Sequence, residues 1–106
     1  MSRRRLVTIS IVTLSIVNYS CNVPTPHENF RHIMQVDIGK RMQDSTTNIS
    51  RYSDQIYKRN TLSNGNIEIG LNHIGNCKVF FQVDHRTSII LDWRYEGSQK
   101  DCVVVP

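Results

Sequence analysis

The chain has 106 residues, a length for one domain, with 39% hydrophobic and 21% charged residues, the balance of a globular protein rather than a disordered or collagen-like one. The formal net charge is +4, but Arg3, Arg4 and Arg5 hold three of the thirteen basic residues and leave ten against nine acidic ones, a net of +1. With no Lys/Arg block beyond residue 5, this near-neutral remainder excludes nucleic-acid binding through a basic stripe.

Arg3-Arg4-Arg5 forms a positive segment, Leu6 to Val17 an apolar one, and Asn18-Tyr19-Ser20 leads to Cys21. This three-part layout predicts a signal peptide over 1–20. The apolar part is about twelve residues, too short for a permanent span, which needs roughly 20. The competing reading is a buried helix of a cytosolic domain, but so short a chain has nothing else apolar enough to cover it. Ser2 to Val7 loosely fits a twin-arginine signal; the general secretory route, into an oxidising compartment, is the expected one. The segment also resembles a bacterial lipoprotein signal, in which the cysteine becomes the lipidated first residue. Ser20 fits the small position before Cys21, whereas Asn18 and Tyr19 stand where that family prefers Leu and a small residue.

There are three cysteines, Cys21, Cys77 and Cys102. Small exported domains tend to pair their cysteines. Cys77 and Cys102 lie in the folding part and are expected to form a disulfide, the alternative being two buried thiols. Cys21 is then unpaired, which calls for a lipid, an intermolecular partner or a free thiol; its place after an apolar run favours a lipid. Residues 21–25 read as lipid anchor and tether, and 26–106 as a single small domain.

Thr25-Pro26-His27-Glu28 carries a capping box with Pro at the first helical position. Phe30, Ile33 and Met34 follow at helical spacing, and Gly39 supplies a left-handed stop. The pattern predicts a helix over 26–38. Residues 42–54 are polar and fit a loop or a short helix capped by Asp44 or Ser45 around Ile49 and Tyr52. Asn48-Ile49-Ser50 is a glycosylation sequon with no meaning in the bacterial chain expected here.

From Gln55 the chain reads as four strands, with turns at Ser63-Asn64-Gly65-Asn66, Gly75-Asn76 and His85-Arg86-Thr87. Folding the last two strands about residue 86 sets Val83 opposite Ile89, Phe81 opposite Leu91, Val79 opposite Trp93 and Cys77 opposite Tyr95. One face then carries Val79, Phe81, Val83, Ile89, Leu91, Trp93 and Tyr95, a core surface for the helix with Phe30, Ile33 and Met34 to cover. The other face carries Lys78, Gln82, Asp84, Asp92, Arg94 and Glu96, charges that balance one another in solvent. The tail must double back to bring Cys102 to Cys77 and lay Val103-Val104-Val105 on the sheet edge or core rim. The expectation is an α+β fold: an N-terminal helix packed on one face of a four-stranded antiparallel meander, with one disulfide.

Leu62-Ser63-Asn64-Gly65-Asn66, Cys77 to Asp84, Trp93-Arg94-Tyr95-Glu96-Gly97, the final Cys102 and the earlier Ile38-Gly39-Lys40 together resemble a group of small bacterial lipoproteins. The group is related in fold to outer-membrane assembly lipoproteins and β-lactamase-inhibitor-like domains. The likeness covers about half of the chain. It implies a protein-binding module of the cell envelope rather than an enzyme, with another envelope protein as partner. Asn22 is not the aspartate that holds some lipoproteins at the inner membrane, which by analogy implies the outer membrane, facing the periplasm.

The remaining chemistry is sparse. His27 and His32 are five apart, off ligand spacing on a helix, and His73 and His85 sit at turns, so no metal is expected. Asp92 and Glu96 stand about 13 Å apart on an extended strand, too far for a catalytic pair. There is no phosphate-cradling loop and no nucleophile elbow, so neither catalysis nor a cofactor is expected. Two functions compete: a lipid-anchored envelope protein that binds a partner, and a soluble secreted inhibitor or immunity-type protein that caps a hydrolase.

Overall fold

A computed structural model of the chain describes residues 23–105. The signal peptide expected over 1–20 and the lipidation expected at Cys21 lie outside the described residues. The rest forms the expected α+β fold. Helix α1 (Pro26–Gln35) is followed by a short helix α2 (Asn48–Arg51), a 3-10 turn (Ser53–Gln55) and strands β1 (Ile56–Thr61), β2 (Ile67–Asn72), β3 (Lys78–Val83) and β4 (Ile90–Glu96). The strands pair antiparallel in the order β1-β2-β3-β4.

Helix α1 starts where its capping residues place it: Thr25 Oγ1 accepts the Glu28 N–H at 3.1 Å, and Pro26 opens the first turn. It ends three residues before the expected stop. Asp37 turns inward instead, fully buried, and its Oδ2 accepts both the Asn48 N–H (2.8 Å) and the Asn48 side-chain amide (2.7 Å). Gly39, at φ +91°, therefore caps no helix; its N–H donates to Ile90 O at 2.8 Å, and Ile90 N–H donates to Lys40 O. The link after α1 is thus strapped to the first residue of β4. The cap of α2 is Thr47, whose Oγ1 accepts the Ser50 N–H, in place of Asp44 or Ser45. Asn48 of the sequon is buried and its amide is engaged.

The core sits between α1, α2 and the inner face of the sheet. Phe30, Met34, Ile49, Ile69, Leu71, Val79, Phe81, Val83 and Ile90 are buried in it, with Ile33, Trp93 and Tyr95 packed at its margin. Cys77 and Cys102, both fully buried, form the expected disulfide, with Cα atoms 5.2 Å apart.

The β3–β4 hairpin corrects the expected register. Val83 faces Ile90, Phe81 faces Trp93 and Val79 faces Tyr95. Leu91 falls between the Gln82/Asp92 and Val83/Ile90 pairs as a bulge, and Ser88 takes a positive φ of 61° at the turn. One extra residue inverts the in–out alternation. Trp93 and Tyr95 therefore keep the inner face, but Ile90 replaces both Ile89 and Leu91 there. Leu91 is 43% exposed, and Ile89 is half-buried outside the core cluster, bridged to Arg41.

The outer face is not purely polar. Phe80 is buried there, under the Arg94 guanidinium at 4.0 Å and edge-on to Tyr57. Gly70 makes room for both, since a Cβ would lie 3.1 Å from each ring.

Two predictions follow from this packing. Ile90→Ala should cost about 2–5 kcal/mol in denaturant unfolding, as a buried residue does, whereas Leu91→Ala should stay within about 0.5 kcal/mol. The register without a bulge predicts the reverse order. In the turn, hydrogen bonds from the Thr87 hydroxyl and N–H hold the Asp84 carboxyl below the usual carboxylate range. A lowered folded value means that the contribution to stability is full above the unfolded value of about 3.9 and fades as pH falls through the folded one. Thr87→Ala should raise the Asp84 titration midpoint toward the ordinary value, read by NMR of its carboxyl carbon.

Candidate functional site

The tail after Cys102 is held by side chains far away in sequence. His27 Nδ1 donates to Cys102 O at 2.8 Å, His73 Nε2 donates to Val103 O at 2.8 Å, and Asn29 Nδ2 donates to Val104 O at 3.2 Å. Val104 N–H in turn donates to Pro26 O at 3.0 Å. Carbonyl oxygens only accept, so these contacts fix which nitrogen of each imidazole carries a proton. The apolar tail lies along α1 and the β2–β3 loop.

One side of this tail is a groove of about 620 Å³. Met34, Leu71 and Val79 form its buried floor. Tyr52, Ile74 and Val105 form its rim, and are 48%, 64% and 82% exposed. These are three of the large apolar residues exposed on the described surface, brought together at one concavity. Exposed apolar side chains gathered around one concavity, rather than scattered singly, mark a candidate docking surface. Among the described residues Arg51 is the one charged residue in the lining, and its guanidinium lies 5.7 Å over the Tyr52 ring.

The groove is assembled from four separate segments. Helix α1 supplies Ile33 and Met34, and α2 with the residue after it supplies Asn48, Arg51 and Tyr52. The β2–β3 hairpin supplies Leu71 to Ile74 and Val79, and the tail supplies Val103 to Val105. Of the residues singled out from sequence, Ile33, Met34 and Val79 reach it, and the Cys77–Cys102 bridge anchors its tail wall. Tyr52 stands in the segment that fits a short helix, whereas no motif points to Arg51 or Ile74. Of the two places expected for the apolar run Val103-Val104-Val105, the tail takes the core rim, with Val104 packed against the core beside α1.

The four histidines do not converge. His27 and His73 hold the tail, His85 Nδ1 lies 3.1 Å from Asn66 Oδ1 in a hairpin turn, and His32 is exposed. Among the described residues no group of three or more His, Cys, Asp or Glu side chains is placed to hold a metal ion. No helix among them is long and apolar enough to cross a membrane.

On the outer face, Arg94 is hydrogen-bonded to Glu68 (3.0 and 3.1 Å) and to Glu96 (2.9 Å). These bonds, Glu68 foremost, raise its pKa further above an already high value, so it stays a cation whose charge is matched on the spot. That face is internally satisfied; the groove is not. No family model matches the chain, and neither do the curated proteins or the solved structures compared with it.

The disulfide should control the tail wall. The bridge joins residues 25 apart in sequence, and a closed loop of that size stabilises by about 3–4 kcal/mol on the chain-entropy estimate. Cys77→Ser should lower the thermal midpoint, abolish its sensitivity to reductant and speed hydrogen exchange at the Val104 N–H. An unchanged midpoint would remove the bridge from the account of the fold.

Proposed function

We propose that this chain is an exported, lipid-anchored protein of the bacterial cell envelope that binds another envelope protein and performs no catalysis. The observation that carries the reading is the apolar groove, with Tyr52, Ile74 and Val105 exposed along its rim. Such a rim suits a macromolecular surface, which would cover floor and rim together.

The cysteines support the location. Cys77 and Cys102 pair with each other, as expected in an oxidising compartment, and that leaves Cys21 unpaired behind the apolar stretch Leu6 to Val17. The likeness of Leu62 to Asn66, Cys77 to Asp84 and Trp93 to Gly97 to small envelope lipoproteins points the same way, toward the outer membrane and its periplasmic side. A second reading is favoured by Asn18 and Tyr19, which depart from the lipoprotein signal. In that reading the protein is released without a lipid and caps a hydrolase as a secreted inhibitor.

The intact mass of the protein recovered from an expressing bacterium, with and without reductant, separates the two. The expected mass begins at Cys21, carries a diacylglyceryl group and an acyl chain, and rises by two hydrogens on reduction. Several acyl chains anchor a protein stably where one does not. An unlipidated mass would overturn the anchored form and turn the search for a partner to hydrolases. A photoreactive residue at Ile74 should then cross-link to a protein in the envelope, whereas the same residue at Leu91 should not.

A further inference from the structure

We propose that the groove receives an extended segment of the partner in which an apolar side chain stands beside a carboxylate. The apolar side chain enters between Ile74 and Val105, and the carboxylate pairs with Arg51. This rests on the partner-binding reading and narrows it from a protein to a chemistry.

Among the described residues Arg51 is the only charged one lining the groove, and none of them brings a carboxylate to it. The ion pairs among the described residues join Lys40 to Asp37, and Arg94 to Glu68 and Glu96; none includes Arg51. Asp54, the acidic residue nearest in sequence, is instead hydrogen-bonded by Gln55 Nε2 at 3.4 Å. Stacking on Tyr52 fixes the guanidinium at the lip without neutralising it. Any apolar occupant takes water away from this cation. A desolvated charge is costly unless it is paired, so the occupant that fits brings the anion with it. Guanidinium also favours carboxylate by its planar, two-pronged geometry.

Shape selects an extended chain. A volume of about 620 Å³ lies within the roughly 300–1,000 Å³ of pockets that seat a small ligand. A small molecule seated on Met34, Leu71 and Val79 would leave Ile74 and Val105 exposed, whereas a chain crossing the groove covers both. The wall made by Val103 to Val105, held by His73 and Asn29, offers a track for it.

The test is selection of displayed random peptides on the full mature protein and on its Arg51→Glu variant. Arg51 is exposed, so the variant should keep its thermal midpoint. Peptides enriched on the natural protein should share Asp or Glu within a few positions of Leu, Ile, Phe or Met. Arg51→Glu should weaken them about tenfold or more, and replacing their acidic residue by Lys should restore binding to the variant. Ile74→Asp should abolish binding to both. Enriched peptides without a carboxylate, or with affinities that Arg51→Glu leaves unchanged, would overturn this chemistry while leaving the groove as a docking surface. Absence of any binding peptide, with the Ile74 photo-cross-link landing on residues 6–17 of this chain or on a second copy of it, would overturn the partner-binding reading as well.

Discussion

The fold hangs on the burial of one side chain, Phe30. Helix α1 has ten residues and only two buried ones, Phe30 and Met34. A helix that short is marginal in water unless its apolar face is docked. Phe30 docks it. Its ring lies 5.8 Å from Trp93 and 5.6 Å from Tyr95, both edge-on, and it also meets the imidazoles of His27 and His73 at 5.9 and 5.3 Å. The same two imidazoles hold the carbonyls of Cys102 and Val103. Burial of Phe30 thus fixes the helix on the sheet, and through its neighbours fixes the tail that walls the groove.

The disulfide works with this contact rather than in place of it. It pins Cys102 to the start of β3, but a single covalent link leaves the direction of the residues beyond it free. Their direction comes from three polar contacts, made by His27, Asn29 and His73. Each satisfies a tail carbonyl that would otherwise be half-buried and unpaired. An apolar tail of three valines can lie along a helix only because its backbone is provided for in this way.

Local signals made much of the fold legible. Thr25-Pro26-His27-Glu28 marked the start of α1. Asn64-Gly65 and Gly75-Asn76 marked two turns, with Gly65 and Gly75 at positive φ as such turns require. The register of β4 was not legible. Ile89, Ile90 and Leu91 are consecutive and apolar, so an alternating pattern fits either phase. The choice is made by the strap from Gly39 and Lys40 onto Ile90, a contact some fifty residues away in sequence. Phe80 was passed over on a face read as polar, although an apolar residue beside Phe81 signals burial on both faces; Gly70, Tyr57 and Arg94 supply its cover. The groove had no motif because its parts come from four segments, and the solitary charge of Arg51 is visible only once the other ion pairs are known.

The early end of α1 links fold to site. The helix stops at Gln35. The chain then buries Asp37, leaving its Oδ1 without a hydrogen bond and with Lys40 Nζ at 3.8 Å. A buried carboxylate with one oxygen unsatisfied costs stability. What it secures is the position of Asn48, and with it the turn of helix that carries Arg51 and Tyr52 to the lip of the groove. The sheet's two faces differ accordingly. The outer one closes on itself, with Arg94 roofing Phe80 and matched by Glu68 and Glu96. The inner one carries the groove above the buried Leu71 and Val79, rimmed by exposed apolar side chains and by one cation, Arg51, that no ion pair among the described residues matches. The Asp37–Asn48 contact, although it leaves one buried carboxylate oxygen unpaired, is thus what places the lip of the groove.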